Sequence, residues 1–127
     1  MSTNPKKMTP AQAAQLLRNH PIEAKGSARA ADASYNVCLG YEDGEFTLSW
    51  SATSVGKWDW VALYPSTSTP NDQQSTYQWA SDGNSYGTGV KVQPGFQARY
   101  LSWDSVSGQY VTVAQTPAFP NTMVCSS

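Results

Sequence analysis

Asp43-Gly44-Glu45-Phe46-Thr47-Leu48-Ser49-Trp50-Ser51 is the stretch from which the fold is read. Phe46, Leu48 and Trp50 fall on one side of an extended chain, and Glu45, Thr47, Ser49 and Ser51 fall on the other. Asp43-Gly44 before them is a two-residue turn signal, because both residues tolerate the positive φ that a tight hairpin demands. A strand with one apolar and one polar face, entered from a hairpin, belongs to an antiparallel sheet with one face on a core.

The same period of two extends outward from this stretch. Strand-like runs fall at about 34–39, 45–51, 58–64, 75–80, 88–93, 97–104 and 109–115, bounded by Gly, Pro, Asn and Asp. Tyr77 and Trp79 share a face, as do Val90 and Val92, and Val111 and Val113. No helical period interrupts the runs. Seven short strands in some 85 residues predict an all-β, immunoglobulin-like antiparallel β-sandwich of seven or eight strands, with Phe46, Leu48 and Val61 buried.

Upstream the pattern changes. Residues 1–31 carry Lys6, Lys7, Arg18, Lys25 and Arg29 against Glu23 alone, while residues 32–127 hold three bases and eight acids. Thr9-Pro10-Ala11-Gln12 has the form of a capping box with Pro at the first helical position. Ala13, Leu16 and Leu17 follow at helical spacing, and Pro21 ends the helix near Asn19. The expected organisation is a basic segment, 1–33, holding a short α-helix over 10–19 and a linker, and then a β-sandwich domain over 34–127. A helix of ten residues is marginal alone in water, so it must dock on the body or on a partner.

Composition narrows the function. In 127 residues the charged share is 13% and the aromatic share 12%, with 5 Trp and 7 Tyr, so the chain folds rather than remaining disordered. A net charge of −1 argues against nucleic acid or an anionic membrane as an electrostatic partner. No apolar run is long enough to span a bilayer, so no membrane span is expected. The basic start lacks an apolar stretch behind it, so the expected location is cytoplasmic, or secreted without a signal peptide.

At Asp59-Trp60-Val61-Ala62-Leu63-Tyr64 the chain resembles the Asp-Trp-(Val/Ile)-Gly-(Ile/Leu)-(Phe/Tyr) strand of SKICH domains. Thr76-Tyr77-Gln78-Trp79 is similar to that family's Tyr-Tyr-x-x-Trp strand, and Gly87-Thr88-Gly89-Val90 to its next one. Gly108-Gln109-Tyr110-Val111 and Thr116-Pro117-Ala118-Phe119 resemble its closing strand and end. Ala62 stands where the family has Gly, and the Ser/Thr/Pro-rich loop 65–75 stands where it has a basic stretch. The resemblance implies a β-sandwich with Trp60 at its centre. It also implies an interaction or localisation role without catalytic residues.

Catalytic candidates are few. His20 is the only histidine and sits in the N-terminal segment, away from any nucleophile. Two Cys and one His cannot form an ordinary structural zinc site, and no Gly-rich phosphate loop is present, so no cofactor is expected. Glu42-Asp43-Gly44-Glu45 lacks the alternating ligands of a calcium loop and reads as a solvated hairpin turn. Cys38 and Cys125 stand near the two ends of the sandwich. A bond between them would close a loop worth about 4 kcal/mol, but the absent leader favours free thiols in a reducing compartment.

The expected binding site follows from strand alternation, which sends loops 51–57, 81–87 and 104–108 to one end. That end would gather Lys57, Trp58, Asp82, Asn84, Tyr86, Trp103 and Asp104. Flat aromatic faces beside carboxylates and an amide suit a sugar, although Trp58 and Trp103 are equally readable as core. The favoured function is a non-catalytic, lectin-like carbohydrate-binding module, with a homo-oligomer supplying avidity for a shallow site. The alternative is a SKICH-like protein-interaction or localisation module, so the partner is a glycan or a protein.

Overall fold

The structure, a computed structural model, describes residues 8–20, 34–120 and 125. One helix, α1 (Pro10–Asn19), precedes seven strands: β1 (Tyr35–Glu42), β2 (Glu45–Ala52), β3 (Trp60–Tyr64), β4 (Thr76–Trp79), β5 (Ser85–Lys91), β6 (Gln97–Asp104) and β7 (Gln109–Gln115). They form two antiparallel sheets, ordered β1-β2-β5 and β4-β3-β6-β7. The immunoglobulin-like sandwich expected from the sequence is therefore present. In contrast to the constant-type arrangement, the fourth strand lies beside the third instead of joining the first sheet.

The β1–β2 hairpin turns at Asp43 and Gly44, both at positive φ (53° and 79°), and pairs Glu42 with Glu45. Its inward side chains Val37, Leu39, Phe46, Leu48 and Trp50 meet Val61, Leu63, Ala98 and Tyr100 of the second sheet. Phe46, Leu48 and Val61 are buried there, as their alternation predicts.

The second sheet is apolar on its other face as well. Every residue of β3 is buried, and so is β6 from Gln97 to Trp103. Trp60 lies on this outer face rather than at the centre of the sandwich, because Val61 and Leu63 take the inward positions and strand neighbours alternate. Trp58, Trp60, Trp79, Leu101 and Trp103 form there a second core with Ala13, Ala14 and Leu17 of α1.

The helix is built for this seat. Thr9 accepts a hydrogen bond from the Gln12 N–H (3.2 Å), and the Gln12 side chain accepts one from the Thr9 N–H (2.9 Å), closing the capping box. Pro10, Ala13, Ala14 and Leu17 share the buried stripe. Two alanines at its middle let the helix axis come close to the tryptophans. At one end the Met8 carbonyl accepts from the Tyr77 hydroxyl (3.2 Å) and the Trp79 indole N–H (3.1 Å). At the other, Arg18 donates to the Gly108 carbonyl (3.0 Å). Ten helical residues measure about 15 Å and four strands about 14 Å across, so α1 crosses the sheet from edge to edge.

The cysteines are bonded, Cys38 to Cys125, across a sequence separation of 87. The expectation of free thiols is corrected here. The partner of Cys38 is a residue beyond β7 that returns to β1 and forms an antiparallel bridge with it, a return that the strand pattern does not reveal.

Because α1 and the tryptophans form one core, Leu17→Ala should lower stability by about 3 kcal/mol and Trp60→Ala by about 3–5 kcal/mol. Leu17→Ala should also shift tryptophan emission to the red. Wild-type emission and melting temperature in Leu17→Ala would show that the helix does not rest on this face.

Candidate functional site

The loops 53–59, 80–84 and 105–108 do lie at one end. The Ala80 N–H donates to the Asp59 carbonyl (2.9 Å), the Trp50 N–H to the Asn84 carbonyl (3.0 Å), and the Tyr110 hydroxyl to the Trp58 carbonyl (2.7 Å). Of the side chains expected to bind there, the two tryptophans are buried. Trp58 is 0% exposed and Trp103 1%, both enclosed with α1, so neither offers a face for a sugar to stack on. Their burial follows from the second core, which turns these rings onto the outer sheet face beneath the helix.

Asp104 closes its own turn, accepting from the Val106 N–H (3.2 Å) and the Ser107 hydroxyl (2.8 Å). Lys57 is exposed, its ammonium 5.3 Å from the centre of the Trp58 ring. Asn84 is exposed. His20 is exposed just beyond α1. Glu42, Asp43 and Glu45 form the β1–β2 turn. Among the described residues no group of three His, Cys, Asp or Glu is placed to hold a metal ion.

Asp82 and Tyr86 do share a feature. They form one wall of an open cleft of about 500 Å³, whose other wall is Gln74, Thr76, Gln78 and Trp79. The cleft runs between β4, at the edge of one sheet, and β5, at the edge of the other. The Thr76 and Tyr86 hydroxyls, 3.0 Å apart, tie its walls together. Among the described residues the lining combines amides, hydroxyls and the Tyr77, Trp79 and Tyr86 rings with a single carboxylate, Asp82, and no cation.

Two buried charged residues that the sequence reading passed over organise the loops around this framework. Asp59 is 1% exposed and accepts from the Gly56 N–H (2.8 Å), the Tyr100 hydroxyl (2.8 Å) and the Ser102 hydroxyl (2.9 Å). Burial raises its carboxyl above the ordinary 3.8, and the three hydrogen bonds oppose that shift without cancelling it. Gly56 is required by close approach, since a Cβ there would stand 2.8 Å from the carboxylate.

At the opposite end Arg99 lies 4.0 Å from the centre of the Tyr64 ring. It donates to Gln97 Oε1 (2.8 Å), the Thr69 carbonyl (2.7 Å), Asn71 Oδ1 (2.8 Å) and the Thr67 carbonyl (3.1 Å). The loop after β3 thus wraps a guanidinium whose charge is met by carbonyl oxygens. Burial lowers its basicity from the ordinary value, yet an arginine stays cationic. The sequence signal for both residues was a charge set within a continuous apolar run, Trp58-Asp59-Trp60 and Ala98-Arg99-Tyr100.

The SKICH domain family model matches residues 36–115, which takes in almost the whole sandwich. The chain belongs to the SKICH domain family. No curated protein and no solved structure matches it significantly.

Removing the Asp59 carboxylate should be costly, since Asp59→Ala strands three buried donors, a loss of about 3 kcal/mol or more. Protonation relieves the penalty of a buried charge. The contribution of Asp59 to stability is therefore greatest below 3.8 and is lost as pH rises through the higher folded-state value. Measured by thermal melts, wild type should lose ground to Asp59→Asn between that range and neutrality. A difference that does not change with pH would contradict the raised carboxyl.

Proposed function

We propose that this chain is a non-catalytic protein-interaction module. Membership of the SKICH family supports this reading, because its domains act in protein interaction and localisation and are not a known catalytic family. The observation that carries it is the cleft between β4 and β5, a concave, hydrogen-bonding surface without a constellation for acyl, phosphoryl or glycosyl transfer. The carbohydrate reading counted Trp58, Tyr86 and Trp103 as stacking surface, and two of these three rings, Trp58 and Trp103, are enclosed. Of the two expected locations, the Cys38–Cys125 bond supports secretion, since such bonds persist in oxidising compartments.

Displaying the disulfide-bonded chain in parallel to an array of folded proteins and peptides and to a glycan array, with and without calcium, tests the reading. A saturable protein or peptide ligand is expected, and silence on the glycans. Glycan binding that Asp82→Ala abolishes, together with silence on the proteins, would overturn it.

A further inference from the structure

Each of the two sheets has two outer strands, and three of these four edges carry a device that discourages pairing with another chain. On β1, Cys125 is bridged to Cys38 both covalently and through the backbone. On β5, the register with β2 shifts between Glu45 and Thr47, and Gly89 sits at a φ of 72°. On β7, the register with β6 shifts between Tyr100 and Leu101, where Ala114 and Thr112 are the partners and Val113 is left over. The fourth edge is different. Thr76-Tyr77-Gln78-Trp79 pairs with β3 in unbroken register and holds no Pro, Gly or Lys; the irregularity at its start, a Ser75 N–H bonded to the Leu63 carbonyl (2.8 Å), lies before Thr76.

The ladder phase says which groups this edge presents. The Ala80 N–H donates to the Asp59 carbonyl, making that a hydrogen-bonded pair. Alternation then makes Val61/Gln78 hydrogen-bonded, with Ala62/Tyr77 and Trp60/Trp79 the pairs between. The N–H and C=O of Tyr77 and the N–H of Trp79 therefore point away from β3, to a side where no described strand pairs with them. The cleft runs along that side, and it also holds the Gln74 side-chain carbonyl oxygen, buried without a hydrogen-bond donor.

We propose that an extended peptide adds as a fifth strand to the sheet at β4, its backbone bonded to Tyr77 and Trp79 and its alternate side chains lodged in the cleft against Gln74, Gln78 and Tyr86. This is the strand-addition mode of recognition, in which main-chain bonds give affinity and side-chain pockets give selectivity. Among the described residues no cation lines the cleft and one carboxylate does, so the preferred peptide lacks acidic residues at the positions that face it. The inference rests on the protein-interaction reading and narrows it to one surface and one class of ligand.

The probe is a random linear peptide library on phage, selected against the full disulfide-bonded chain, with the recovered peptides made synthetically. Amide hydrogen exchange of the chain should show Tyr77 and Trp79 slowed at least about tenfold by peptide, with Thr76 and Gln78 slow in both states. N-methylation of the peptide at alternate residues should weaken binding about tenfold per blocked bond, since each removes a ladder donor and adds a steric block. Gln78→Ala should weaken side-chain selection while leaving the exchange pattern. Peptides that protect any other surface would overturn the β4 assignment and leave the interaction reading standing. So would a selection that yields no peptide while folded proteins bind on the array. Silence in both experiments would remove the interaction reading itself.

Discussion

A sheet that is apolar on both faces needs two covers, and that constraint shapes everything outside the sandwich proper. β3 and β6 are buried along nearly their whole length. The β1-β2-β5 sheet covers one side of them. On the other side α1 takes the half with Trp60, Trp79 and Trp103, and the loop after β3, clasped by Arg99, takes the half with Tyr64. A ten-residue helix that would fray alone is stable here because a wall of indole rings awaits it, and the wall tolerates water exclusion because the helix is there. The fit is incomplete in one respect: the indole N–H groups of Trp60 and Trp103 are buried without acceptors. Such groups weaken an interface relative to one that satisfies them.

Asp59 and Arg99 act at opposite ends and by opposite chemistry. The carboxylate draws donors from the loop before β3 and from β6, fixing how the β2–β3 connection meets the sandwich. The guanidinium draws acceptors from the loop after β3 and holds it down on the sheet. Each buried charge is stabilised by several oriented dipoles. Oriented dipoles fix geometry more tightly than a single counter-ion, because every donor or acceptor must be in place together.

The alternation at Phe46-Leu48-Trp50 and the Asp43-Gly44 turn are enough to read a hairpin and a half-buried sheet, and the capping box at Thr9 enough to read α1. Those are local signals, written in spacing and turn chemistry. The second core was also written locally, in the unbroken run Trp60-Val61-Ala62-Leu63-Tyr64, since a strand with no polar positions is buried on both faces. Reading Trp60 as central to the sandwich overlooked that run. Of the six residues chosen for a binding end, only Asp82 and Tyr86 share a concave surface. A loop end predicted from topology says which segments are neighbours, whereas the direction of Trp58 and Trp103 depends on what covers the sheet. The return of Cys125 to β1 has no periodic signal at all, because it is set by a segment that follows the last strand.

The proposed strand addition at β4 is consistent with how the faces and edges are covered. Both faces of the β4-β3-β6-β7 sheet are occupied. The outward face of the other sheet presents Ser49, Ser51, Ser85, Gly87, Gly89 and Lys91, small or solvated groups that lack the aromatic and arginine anchors of an energetic hot spot. Among the described residues the large exposed apolar side chains, Tyr41, Val55 and Val106, sit one to a loop or strand end. Such scattered residues are ordinary on a surface and do not form a patch. Among the described residues, with the faces covered or featureless, the proposed recognition draws on hydrogen-bonding capacity that the fold leaves unused. That capacity lies where β4 borders a polar cleft, so the constraint that fills the faces of this sandwich is also what directs the proposed strand addition to an edge.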